Sequence, residues 1–200
     1  MQAINLTNSS KENKRRDLDF YPTPPNVTQA LMQFLHDEQI ICPFTVIWEP
    51  ACGNGIMSKE IEKFGHKVLS TDIRNTGYGQ GEVDFLGNIT LECGAIITNP
   101  PFAPSVQFIN KSMVSAPITA FLLKSQYWHA ENKTELFKRY PPAYILALNW
   151  RPDFMDGERG GSPTMECIWT IWIEGQTDTK YKLLEKPGRK NKVTQMAIGF

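Results

Sequence analysis

Asn99-Pro100-Pro101-Phe102, directly after the apolar run Gly94–Thr98, is where this chain carries its most distinctive chemistry. Two prolines after a buried strand end its ladder and stiffen the backbone in one shape. The Asn99 amide and the carbonyl that follows it can then both point at one amine. An ordinary rigid turn would need neither the asparagine nor the aromatic at its flanks. A second group is Glu49-Pro50-Ala51-Cys52-Gly53-Asn54-Gly55, where glycines allow a sharp turn and close approach to a ligand. The third glycine of a dinucleotide loop is missing, since Met57 and Ser58 follow, so a pyrophosphate grip is disfavoured. An acid just before the turn repels phosphate and suits an ammonium. Asp72 comes about 20 residues later, where a carboxylate can accept both hydroxyls of a ribose, with Ile73 against an adenine face. Asp84-Phe85 adds an acid placed to accept from an adenine amino group.

These residues need a scaffold that brings separate strand ends together. Val27, Ala30, Leu31, Phe34 and Leu35 recur at helical spacing, which predicts a helix over Asn26–Glu38. Strands are expected at Thr45–Trp48, Lys67–Thr71, Gly94–Thr98, Ile118–Leu123, Ala143–Leu148 and Cys167–Ile173, with a weaker one near Glu82–Phe85. Thr179–Leu184 is expected to pair with Cys167–Ile173. Helices are expected at Ile56–Phe64, ended by Gly65, at Ser105–Ser115 and at Glu131–Tyr140. Strand and helix alternate, and the strands are continuous apolar runs. That is the pattern of an α/β fold: a mostly parallel twisted sheet with helices on both faces. Ligands of such sheets bind beyond the carboxyl ends of the strands, where the residues above lie.

Composition narrows the partners. Lys plus Arg and Asp plus Glu are 21 each, so the net charge is zero and any contact with nucleic acid must come from local patches. Lys11, Lys14, Arg15 and Arg16 crowd one end, and Lys186, Arg189, Lys190 and Lys192 the other. They are solvated termini or arms for phosphate. The organisation expected is a basic tail (1–18), one domain (19–185) and a basic C-terminal segment (186–200). The apolar runs are strand-length, so no membrane span is expected. The polar start lacks the apolar core of a secretory signal. Four scattered cysteines without a CxxC pair argue against zinc and a disulfide framework, so no metal and a cytoplasmic location are expected.

Taken together, Glu49–Gly55, Asp72, Asp84 and Asn99–Phe102 resemble the motifs of class I S-adenosylmethionine-dependent methyltransferases, specifically the N6-adenine DNA methyltransferases. The resemblance runs in element order from about Asp19 to Trp172. It implies the Rossmann-like methyltransferase fold with an antiparallel C-terminal strand, and S-adenosylmethionine as cofactor. Glu49, Pro50, Ala51, Gly53 and Gly55 would bind its methionine part. Asp72 would bind its ribose, and Ile73, Asp84 and Phe85 its adenine, with Asn99 also against the cofactor. Tyr21, Thr23 and Pro24 look like the family's cofactor-covering segment. Asn99, Pro100, Pro101 and Phe102 match the catalytic motif. A small enzyme of this kind suits a phage or an orphan bacterial system.

The resemblance also implies a mechanism. An aromatic amine is a poor nucleophile because its lone pair is conjugated with the ring. Hydrogen bonds from both amine protons, to Asn99 Oδ1 and the Pro100 carbonyl, would favour a pyramidal nitrogen and so the transition state. Phe102 would stack on the base, and no strong general base is needed. A base in duplex DNA must be flipped to reach such a pocket. Many relatives carry a separate target-recognition region, for which this chain leaves no room. Lys124, Arg151 and Arg159 are candidates for phosphate, the last two in the loop 151–163, and Tyr127 or Trp128 for base stacking or for packing. Relaxed sequence specificity, or a partner supplying it, is expected; a homodimer is left open. The alternatives are an RNA base or a protein glutamine as substrate, or a non-catalytic cofactor-binding subunit. The missing glycine disfavours a nicotinamide oxidoreductase.

Overall fold

The computed structural model describes residues 21–154 and 165–188. The two tails up to residue 18 and beyond 188, the loop residues 155–163 and with them Arg159 lie outside the described residues. The elements are α1 (Pro25–Asp37), β1 (Ile47–Glu49), α2 (Ile56–Glu62), β2 (Val68–Ser70), β3 (Ala95–Thr98), α3 (Ser105–Ser112), β4 (Ile118–Lys124), α4 (Thr134–Arg139), β5 (Tyr144–Leu148), β6 (Cys167–Ile173) and β7 (Lys180–Leu184). Short 3-10 segments, Ser125–His129 and Glu131–Lys133, precede α4. The strands form one sheet in the order β2-β1-β3-β4-β6-β5-β7. β1 pairs in parallel with β2 and β3, and β3 with β4. β6 runs antiparallel to both of its neighbours, β4 and β5.

Side chains alternate across this sheet with the period of two that extended backbone imposes. Ile47, Ala95, Ile97, Ala120, Leu122, Trp169 and Ile171 face one cluster, which α1 and α2 complete with Leu31, Leu35, Met57 and Ile61. Trp48, Ile96, Phe121, Leu123 and Trp172 face the other, where α3 adds Phe108 and Ile109. Each fully buried aliphatic or aromatic side chain contributes about 1.5–3 kcal/mol. Three indoles tie layers together while satisfying their own N–H. Trp48 Nε1 donates to Thr71 Oγ1 (2.9 Å), Trp169 Nε1 to the Val27 carbonyl (3.1 Å) and Trp172 Nε1 to the Tyr140 carbonyl (2.9 Å).

Several expectations need correction. Glu82–Phe85 is not a strand: Glu82 has φ 59°, the Val83 N–H turns back to the Asp72 carbonyl, and Gly87 closes a turn on Asp84. β7 pairs with β5, in parallel, and not with β6. The reason is that β4 and β5 already occupy both edges of β6. The helix expected to reach Ser115 ends at Ser112, and the one expected over Glu131–Tyr140 is a 3-10 turn followed by α4.

Candidate functional site

Parallel strands put their carboxyl ends on one edge of the sheet. Glu49 ends β1, Asp72 lies just past β2, Asn99 follows β3, and Lys124 ends β4. With β2, β1, β3 and β4 adjacent in that order, these four residues stand along one rim. A cavity of about 510 Å³ opens there. Its walls include Tyr21, Thr23, Glu49–Asn54, Asp72–Arg74, Val83–Leu86 and Asn99–Pro104.

At the glycine turn, Gly53 (φ 52°) aims its N–H at Asp72 Oδ2 across 2.8 Å. Gly55 (φ 77°) lies under the Tyr78 ring, so a side chain there would run into that ring. Thr76 Oγ1 donates to the Gly53 carbonyl, holding the turn from the other side. Glu49 is buried, with Ser58 Oγ donating to its carboxylate and Ser70 Oγ 2.7 Å from Ser58. Burial pushes the Glu49 carboxyl up to about 7, and the nearby Asp72 charge adds to the rise.

Asp72 is buried as well, and its carboxylate is fully engaged. Oδ1 accepts from the Arg74 backbone N–H (2.9 Å) and Nε (3.1 Å). Oδ2 accepts from Gly53 and from Arg74 Nη2 (3.3 Å). Ile73 beside it is 62% exposed, an apolar face turned to the outside. Asp84 is exposed and its Oδ1 accepts from the Leu86 N–H. Phe85 is buried between Trp48 and Phe108, at ring-centroid distances of 5.0 and 4.8 Å.

The Asn99–Phe102 turn is held from three directions. Asn99 Nδ2 donates to Thr23 Oγ1 (3.1 Å) and to the Tyr21 carbonyl (3.3 Å). Ser105 Oγ, at the start of α3, donates to the Phe102 carbonyl (2.7 Å) and also meets the Tyr127 hydroxyl. The Phe102 ring lies 5.6 Å from that of Tyr21, and Lys124 Nζ sits 3.4 Å from its centroid, a cation–π arrangement.

Of the residues singled out from the sequence, Tyr21, Thr23, Glu49, Pro50, Ala51, Gly53, Asp72, Ile73, Asp84, Phe85 and Asn99–Phe102 line this one cavity. Pro24 and Gly55 do not: Pro24 caps α1 and Gly55 opens α2 beneath Tyr78. Trp128 stacks on Phe137 at 4.1 Å, and the Tyr127 ring also packs on Phe137. Arg151 pairs with Glu166 (2.8 Å) on the surface. Sequence reasoning missed Arg74, Thr76 and Tyr78. Their only signal was a position in the glycine-containing loop after Asp72.

No family model and no curated protein matches the chain. Solved structures do match. A methyltransferase subunit of a type I restriction-modification system from Streptococcus thermophilus superposes with a TM-score of 0.64 and 10% identity, over 82% of this chain and 47% of that one. A protein provisionally designated an RNA methyltransferase, from Pyrococcus horikoshii, gives 0.63 and 14% over 78% and 87%. A provisionally designated class I S-adenosylmethionine-dependent methyltransferase from Listeria monocytogenes gives 0.60 and 14% over 82% and 65%. The chain has the Rossmann-like methyltransferase fold. It spans about half the length of the restriction-modification subunit, so that protein carries as much again outside the shared part. The residues singled out from the sequence lie along the strand-end rim, the edge at which open α/β sheets generally bind ligands. Among the described residues no helix is long and apolar enough to cross a membrane, and no cluster of three metal-ligating side chains occurs.

Proposed function

We propose that this protein transfers a methyl group from S-adenosylmethionine to the exocyclic N6 amine of adenine in DNA. The observation that carries the reading is one cavity shared by two chemistries, Glu49–Gly53 with Asp72 on one side and Asn99–Phe102 on the other. Its volume is within the range of small-molecule sites. The residues fit the cofactor. Buried Glu49 suits the ammonium, Asp72 the ribose once the Arg74 side chain yields its two bonds, and exposed Ile73 a flat apolar face. S-adenosylmethionine, when bound, supplies a methyl group activated by its sulfonium.

The chain's own residues do the rest. Asn99 keeps its amide nitrogen on Thr23 and Tyr21, which leaves Oδ1 as the acceptor for a substrate N–H. The Pro100 carbonyl is the second acceptor, and two acceptors on one amine favour the pyramidal nitrogen that attacks. Phe102 offers a ring for the base, and Lys124 beside it offers charge to a phosphate backbone. A duplex adenine reaches this site only by leaving the stack, at a cost of a few kcal/mol.

DNA is favoured by the likeness to the restriction-modification subunit, and a separate partner supplying sequence recognition fits that likeness as well. An RNA base is the second reading, favoured by the likeness to the Pyrococcus protein. Transfer of labelled methyl to unmethylated duplex DNA, RNA and total protein, followed by nucleoside analysis, decides among them. N6-methyladenine in DNA is the expected product. Label confined to RNA or protein would replace the substrate, and absence of transfer to any of them would refute the activity.

A further inference from the structure

Asn99 is an ambidextrous residue: its amide can offer two N–H donors or two lone pairs. Which end faces the cavity decides what the cavity can hold. An oxygen there accepts from an amine, whereas a nitrogen there would donate to a ring carbonyl and repel an amine. The two ends are nearly the same shape, so packing alone does not choose between them.

The choice is made by a segment distant in sequence. Nδ2 donates to Thr23 Oγ1 at 3.1 Å and to the Tyr21 carbonyl at 3.3 Å. A backbone carbonyl only accepts, so the amide nitrogen must turn toward Tyr21. Thr23 is 5% exposed, and an amide oxygen turned toward that carbonyl would face a lone pair in a buried place. The segment is also stiff. Pro22 and Pro24 flank Thr23, and Pro25 opens α1. The first turn of α1 is pinned to the sheet, because Val27 N–H bonds the Pro24 carbonyl and Trp169 Nε1 bonds the Val27 carbonyl.

We infer that Thr23 and the Tyr21 carbonyl are positioning groups for Asn99: they set the polarity of its amide and thereby restrict the site to substrates presenting N–H. The inference rests on the methyl-transfer reading for its kinetic consequence, though not for the polarity itself. Thr23 thus acts through Asn99, and its own hydroxyl proton is left to bond elsewhere.

The test uses the full chain and three forms: wild type, Thr23→Val, which keeps the shape and loses the acceptor, and Thr23→Ser, which restores it. Thr23→Val should lower kcat about tenfold while Kd for S-adenosylmethionine stays within about twofold, the loss expected for one hydrogen bond of orientation. Thr23→Ser should recover most of that kcat. Hydrogen exchange of the Asn99 side-chain amide, followed by NMR and assigned by its absence in Asn99→Asp, should be slow in wild type and faster in Thr23→Val. This second measurement needs no turnover. A wild type that transfers no methyl would defeat the activity, and the exchange rates would still decide the tether. Equal exchange in wild type and Thr23→Val overturns the inference. So does a Thr23→Val defect that lies wholly in cofactor affinity.

Discussion

Arg74 grips Asp72 with two prongs, Nε on Oδ1 at 3.1 Å and Nη2 on Oδ2 at 3.3 Å. With Gly53 N–H and the Arg74 backbone N–H also bound, all of the roughly four acceptor positions of the carboxylate are taken. A ribose diol needs two of them, and the side chain can yield where the backbone donors cannot. Arg74→Met should therefore tighten S-adenosylmethionine binding about fivefold, the scale of a partly exposed ion pair. Titration calorimetry measures it. Unchanged or weaker binding would mean that Arg74 stays in place or touches the cofactor itself.

Glu49 should give the protein a pH dependence of definite sign. Its carboxyl is raised from 4.5 to about 7 by burial first, so the folded chain prefers the neutral form. The stability this represents is fully present below about 4.5 and is lost as pH rises through about 7. Denaturant unfolding of the ligand-free protein should lose up to about 3 kcal/mol across that window, and Glu49→Gln should flatten the trend. If Glu49 meets the cofactor's ammonium as proposed, cofactor affinity should run the other way, weakening below pH 7 as the carboxylate is neutralised. A flat affinity profile from pH 6 to 7.5 would separate Glu49 from the ammonium.

Asn99→Ala removes the amide acceptor proposed for the substrate amine and leaves the rest of the cavity standing. Turnover should fall by at least about 10²-fold, while cofactor Kd is largely kept. Residual activity near wild type in a methyl-transfer assay would refute the role given to the amide.

Gly55 has two reasons to be glycine, its φ of 77° and the Tyr78 ring above it. Gly55→Ala should destabilise the fold by about 3 kcal/mol, combining backbone strain of roughly 1–2 kcal/mol with the clash. In Gly55→Ala on a Tyr78→Ala background only the strain should remain. Urea midpoints of the four proteins separate the two contributions.

Lys124 holds its ammonium 3.4 Å from the centroid of the Phe102 ring, a ring that lines the cavity. Lys124→Met keeps the stem and deletes the charge. If the ammonium meets a phosphate in the complex, the mutant should bind DNA more weakly and with a salt slope smaller by about one. An unchanged slope would confine Lys124 to packing on Phe102.

Much of this molecule was legible in advance. The run Ile118–Leu123 is almost wholly apolar, and the residues singled out for chemistry sit where such strand runs end, Asp72 after Lys67–Thr71 and Asn99 before Pro100. Asp72 and Asn99 could thus be located from local pattern alone. Their hydrogen-bond partners could not. Thr23 and Tyr21 lie far from Asn99 in sequence and carry no local mark of that contact. Arg74 is close to Asp72, yet nothing in its type says that it would saturate the carboxylate.

The order of the strands divides in the same way. The alternation of strand and helix determined a mostly parallel sheet with the singled-out residues at its carboxyl edge, because a chain of crossovers leaves few other packings. Only the tertiary structure decided that β6 enters between β4 and β5, and that β7 therefore joins β5. Pairing depends on which edges are still open when a strand arrives, and side-chain orientation on which acceptors the fold brings near. Both are properties of neighbours in space, which residue types and their spacing do not encode.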